Sequence, residues 1–157
     1  METNKLNIYF CGSMRGVSAN KTTYIKMVAE LKTYGKVLTE HIVDPTIEYA
    51  LNDNEIYQKD WQAFNQADCV VAEVTAPSHG VGIELGWAIL KPNLPILCLS
   101  FKLKQYNTSP LIAGCPLITH KEYQSDEEAV QIIDEFFKTH FDFNESTKSF
   151  KKKEQKL

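Results

Sequence analysis

Three short, largely apolar runs, Leu6–Cys11, Cys69–Val74 and Pro95–Phe101, constrain the fold of this chain more than any other feature. Each is rich in β-branched or aromatic residues, the mark of strands covered on both faces, as in a parallel sheet. Longer amphipathic stretches alternate with them: Asn20–Tyr34 stopped by Gly35, Asn54–Ala67, and Gly80–Lys91 ended by Pro92, all of which read as helices. A short strand is expected at Lys36–Thr39 and another near Leu117–Thr119. A last helix is expected over Ser125–His140, with Ser125 as N-cap and Glu128 three residues on. Strand and helix alternate throughout, which predicts a single doubly wound α/β domain. Its sheet has about five parallel strands in a flavodoxin/Rossmann-like order, and ligands bind outside the carboxyl ends of such strands.

With 157 residues, 43% of them hydrophobic, the chain can bury one core and has no room for a second domain. The domain is expected to span residues 1–143. Residues 144–157 hold five lysines and almost no apolar side chains, and read as a flexible Lys-rich tail or, as the competing reading, a weak nuclear-localisation or nucleic-acid patch. The net charge of −3 argues against a nucleic-acid partner, so an anionic partner must be small and locally gripped. No run approaches the ~20 apolar residues that span a bilayer, and the first ten residues lack the order of a signal peptide. The expected location is the cytoplasm, with the nucleus as a second. Cys11, Cys69, Cys98 and Cys115 are widely spaced, the first three in apolar runs, and are expected to be reduced thiols that neither bind metal nor act as nucleophiles. No metal or cofactor is expected.

Two loops carry oxyanion-binding chemistry. After the first apolar run comes Gly12-Ser13-Met14-Arg15-Gly16, where glycines free backbone N–H groups, Ser13 adds a hydroxyl and Arg15 a guanidinium. This fits a phosphate cradle, and by generic motif it equally fits a tight turn, being neither a Walker loop nor GxGxxG. The second loop, Ser78-His79-Gly80-Val81-Gly82, opens a helix at another strand's carboxyl end. Glu84 is the only charged residue between Glu73 and Lys91, in a helix whose other members are apolar on every side. A buried carboxylate there costs several kcal/mol, roughly, unless paired or functional. It reads either as a site residue or as a structural glutamate bridged to a neighbour. Asp60 borders the apolar stripe of its helix, facing the cleft or pairing with a lysine such as Lys59. Tyr9 reads as sheet filler or as a hydrogen-bond donor to Glu84. His41 is a candidate phosphate or sugar contact or an incidental loop residue, and His79 is equally open.

The segments Tyr9–Gly16, Leu38–His41, Ala67–Val74 and Pro77–Gly86 closely resemble the 2′-deoxynucleoside 5′-phosphate N-hydrolases of the nucleoside 2-deoxyribosyltransferase superfamily. The resemblance runs in order from about Leu6 to Phe137. It implies that Glu84 attacks the anomeric carbon to give a covalent glycosyl enzyme, that Asp60 assists departure of the base, and that Tyr9 positions the nucleophile. It also implies that Gly12, Ser13, Arg15, Gly16, Ser78 and Gly80 hold a 5′-phosphate. Met14 lies within that first loop, and His41 joins the candidate contacts. A serine from a neighbouring subunit completes the family's phosphate site, and Ser109 is the matching position, so a homodimer with shared sites is implied. The chain departs from the family's pattern at Trp87 and Ala113, where relatives carry arginine.

The substrate so implied is a small nucleotide, a 2′-deoxynucleoside 5′-monophosphate hydrolysed to base and 2-deoxyribose 5-phosphate. An oxocarbenium-like transition state suits a carboxylate beneath the sugar and a proton donor beside the base. Two competing readings are a 2-deoxyribosyltransferase that exchanges bases and a non-catalytic nucleotide sensor.

Overall fold

The computed structural model describes residues 5–14, 21–44, 51–103, 108–144 and 149–153. Arg15 and Gly16 lie outside the described residues. Five parallel strands form one sheet: β1 (Leu6–Gly12), β2 (Gly35–Val37), β3 (Cys69–Glu73), β4 (Ile96–Phe101) and β5 (Thr119–Tyr123), in the order β2-β1-β3-β4-β5. The helices are α1 (Lys21–Tyr34), α2 (Asp53–Asn65), α3 (His79–Leu90), the short α4 (Pro110–Ala113) and α5 (Asp126–His140). A 3-10 turn occupies Glu40–Val43. The expected doubly wound α/β architecture and its flavodoxin-like order are both present.

The apolar runs are two-faced because successive side chains of a strand point to opposite sides. Ile8 and Phe10 of β1, Val71 of β3, and Leu97 and Leu99 of β4 pack against Met27 and Leu31 of α1 and Ile133 and Phe137 of α5. The alternate residues Tyr9, Cys11, Val70, Ala72 and Cys98 pack against Phe64 of α2 and Val81, Leu85 and Ala88 of α3. Helix starts follow local chemistry. Asn52 caps α2 in a reciprocal box with Glu55, Ser78 accepts from the Val81 N–H, and Ser125 accepts from the Glu128 N–H at 3.1 Å. Glu128 returns its bond to the Gln124 N–H, one residue before the cap. Lys91, extended before Pro92, ends α3 and sends its ammonium onto the carbonyls of Asn65 and Ala67 at the end of α2.

Several expectations are corrected. Gly35 begins β2 instead of capping α1 in a left-handed conformation. A Cβ there would lie 2.1 Å from the Leu6 carbonyl oxygen, so close strand approach demands the glycine. The fifth strand runs from Thr119 to Tyr123, later than Leu117–Thr119, because an edge strand tolerates the polar sequence Thr-His-Lys-Glu-Tyr. Part of the segment read as a flexible tail is paired. Ser149–Lys152 (β7) runs antiparallel to Phe141–Asn144 (β6), with Phe150 against Tyr34 and Phe143. One aromatic ring among the lysines anchors it. The face of α3 that reads as buried is open within a single chain, with Ile83 57% and Leu90 81% exposed. Among the described residues, no helix is long and apolar enough to cross a membrane.

Candidate active site

The order β2-β1-β3 reverses direction between β1 and β3, and the crevice at their carboxyl ends is where such sheets bind ligands. A small cavity of about 60 Å³ lies there, lined by Phe10, Cys11, Gly12, Met14, Thr39, His41, Ile42, Asp60 and Glu84. Four elements build it. β1 and the bend that follows it bring Gly12 and Met14 to the lining. The Thr39 side chain bonds both the N–H and the carbonyl of Phe10, pinning the 3-10 turn that carries His41 against β1. α2 supplies Asp60 and α3 supplies Glu84.

Tyr9 donates its hydroxyl to Glu84 Oε1 at 2.6 Å. Burial, and then the charge of Glu84, push the phenol far above its ordinary value, so it stays protonated and keeps the proton it donates to Glu84. The same two causes raise the Cys11 thiol, which is thereby kept from the thiolate form a nucleophile needs. The remaining thiols are free, and burial pushes Cys98 up to about 12. His41 Nε2 stands 3.8 Å from Asp60 Oδ1, both side chains largely covered. Two carboxyls facing one hollow in different surroundings can divide the work of nucleophile and proton donor.

Structure thus brings Glu84, Asp60, Tyr9, Gly12, Met14 and His41 together. Ser13 is buried beside them, its carbonyl accepting from the Tyr24 hydroxyl at 3.2 Å. Ser78 and Ser109 are not part of that cavity's lining. They line a groove of about 400 Å³ on another face of α3, with Gly82, Gly86, Ile89, Leu111 and Ile112. Gly80 and His79 are exposed in the first turn of α3. A Cβ on Gly82 or Gly86 would meet nothing within 4 Å, so these glycines face open space in the single chain. Trp87 packs edge-on against Trp61 and Tyr57, in an aromatic cluster that joins α2 to α3.

Thr39 and Ile42 are cavity residues that sequence reasoning passed over. Their signal was position, on the segment directly after the second strand, beside His41.

Residues 8–149 match the family model of nucleoside 2-deoxyribosyltransferases. The 5-hydroxymethyl-dUMP N-hydrolase of Danio rerio is 40% identical over 141 residues, which cover 85% of this chain and 97% of that protein. The protein of the same name from Rattus norvegicus is 48% identical over 98 residues, 59% of this chain and 60% of its own length. Among solved structures, a CMP N-glycosidase of Clostridium botulinum shares the fold with a TM-score of 0.62 at 21% identity, over 82% of this chain and 98% of that one. With nearly the whole domain matched, the chain belongs to the nucleoside 2-deoxyribosyltransferase family.

Proposed function

We propose that this protein hydrolyses the N-glycosidic bond of 2′-deoxynucleoside 5′-monophosphates, releasing the free base and 2-deoxyribose 5-phosphate. The observation that carries the reading is one cavity faced by both Glu84 and Asp60, with Tyr9 donating to Glu84. Relatives named as N-hydrolases of such a nucleotide, matched over most of their length, support it.

Glu84 Oε attacks C1′ of the sugar as the bond from C1′ to the base nitrogen breaks. Asp60 delivers a proton to the departing base, and a glycosyl ester forms on Glu84. Water then attacks C1′ of the ester, yielding its proton to Asp60, and Glu84 leaves as carboxylate. Tyr9 fixes the rotamer of Glu84, and His41 beside Asp60 holds that acid toward the base. The Gly12–Met14 bend and the N-terminal turn of α3, with Ser78 and Gly80, take the 5′-phosphate, and Arg15 and Gly16, which follow in the sequence, are assigned to the same anion. Phosphate binding, remote from the reacting bond, orients the sugar over Glu84.

The working form is a homodimer. Ser109 and Ser78 share a groove that Glu84 does not line; Leu111, which lines it, is exposed, as are Ile83 and Leu90 of α3. A second subunit would cover these apolar side chains and bring its own Ser109 to the phosphate.

Chromatography of products from a panel of deoxy- and ribonucleoside 5′-monophosphates, 5-hydroxymethyl-dUMP included, tests the reading. Free base with sugar phosphate supports hydrolysis. Exchange of bases on unphosphorylated deoxynucleosides would instead favour the transferase activity that names the family.

A further inference from the structure

We propose that Glu73, outside the cavity, is a positioning residue that clamps together the two bends assigned above to the 5′-phosphate. The inference rests on that assignment. Glu73 ends β3, opposite Gly12 at the end of β1, and is 3% exposed. Its partners are hydroxyls and one amide. Oε1 accepts from the Thr75 N–H at 3.2 Å, from the Thr75 hydroxyl and from the Tyr123 hydroxyl at 3.1 Å, while Oε2 lies 3.3 Å from the Tyr24 hydroxyl.

One arm of this network reaches the first bend. The Tyr24 hydroxyl is also 3.2 Å from the Ser13 carbonyl. In a trans peptide the carbonyl and the following N–H point in opposite directions, so anchoring the Ser13 carbonyl on Tyr24 sends the Met14 N–H away from it, free to face an oxyanion. Tyr24 also explains Gly12. A Cβ there would lie 2.7 Å from the hydroxyl oxygen and 2.8 Å from the ring carbon bearing it, so the glycine admits the tyrosine beneath the bend.

The other arm reaches the second bend. Glu73 accepts from both the N–H and the hydroxyl of Thr75, whose hydroxyl oxygen accepts in turn from the Phe101 N–H at 2.6 Å. Three residues on, Ser78 caps α3. Tyr24 has one proton and two acceptors, and a proton on Oε2 resolves the count. Glu73 then donates to Tyr24, Tyr24 donates to Ser13, and Oε1 keeps its three donors. Burial, which pushes this carboxyl above the usual range against the pull of the hydroxyls, favours that form.

Steady-state kinetics on a deoxynucleoside 5′-monophosphate test the clamp with Glu73→Ala, Tyr24→Phe and Glu73→Gln, each checked by thermal melting. Loss of the clamp is expected to raise KM roughly tenfold in the Ala and Phe variants with kcat within about threefold, the pattern of lost substrate binding. Gln keeps the shape and places an N–H donor where Oε2 stood, so its KM is expected within about twofold of wild type. If Glu73→Ala does not fold, Tyr24→Phe, one oxygen atom smaller, decides. An unchanged KM in folded Tyr24→Phe, a loss confined to kcat, or a Gln variant as impaired as Ala overturns the clamp and leaves the hydrolase standing. A wild-type protein that cleaves no monophosphate overturns both.

Discussion

Tyr9 and Glu84 are 75 positions apart in the chain and 2.6 Å apart in the fold, the phenol of β1 donating to the carboxylate of α3. The tyrosine ring is wholly buried and meets Phe64 edge-on, so its hydroxyl is aimed by packing. Tyr9→Phe keeps that packing and removes the donor. A charge-assisted bond of this kind contributes about 1.5–3 kcal/mol, so kcat/KM is expected to fall roughly 10- to 100-fold while the melting temperature changes little. Steady-state rates with a melting curve check this, and unchanged kinetics would remove Tyr9 from the site.

Asp60 is expected to act on the departing base. Asp60→Asn cannot supply a proton, and general-acid contributions of about 10²–10⁴-fold set the expected loss in kcat. A substrate whose base leaves without protonation should recover most of that loss. Equal losses on both substrates would assign Asp60 to binding.

Glu73 gives a stability prediction with a definite sign. Burial is the leading cause of its raised folded-state pKa, so the folded state holds the proton more tightly than the unfolded chain. Its favourable contribution is therefore complete below the ordinary carboxylate value, about 4.3, and is lost as pH rises through the folded value. The groups facing it are Tyr24, Tyr123 and Thr75, with Asp126 and its partner Lys26 beyond Tyr123. Glu73→Gln does not titrate. Denaturant melts should show the variant gaining on wild type between pH 4 and pH 7, roughly the carboxylate range and above, and a variant that loses ground over that span would contradict the account.

The dimer reading is testable at Ile83. Because its side chain is 57% exposed in one chain, Ile83→Asp should leave the melting of the monomer nearly intact, within about 0.5 kcal/mol. It should shift sedimentation to the single-chain mass and raise KM by removing the partner's serine. A variant that stays dimeric, or a monomer with full activity, would contradict shared sites.

How far the sequence could be read depended on range. The apolar runs of β1, β3 and β4 announced themselves because both faces of those strands are covered. β5 was misplaced because an edge strand carries His120, Lys121 and Glu122 without penalty. The hairpin of β6 and β7 was hidden by lysines around one anchoring phenylalanine, Phe150. At the site, Glu84 stood out as a lone acid in an apolar helix, and its partner Tyr9 was one of two readings. The network of Tyr24, Glu73 and Tyr123 was not legible, since its members are 49 and 50 positions apart and each alone reads as filler. That Ser78 and Ser109 line a different hollow from Glu84 was equally invisible, because it depends on which faces of α3 the neighbouring elements cover.

The rate of base release by Glu84→Gln, measured beside wild type on the same deoxynucleoside 5′-monophosphate, tests the central claim most directly. Glutamine is isosteric and still accepts from Tyr9, but it is too weak a nucleophile to form the glycosyl ester. We expect wild type to release base and the variant, folded and still binding nucleotide, to be slower by roughly 10³-fold or more. Release at the wild-type rate by the variant, or none by either protein, would contradict the account.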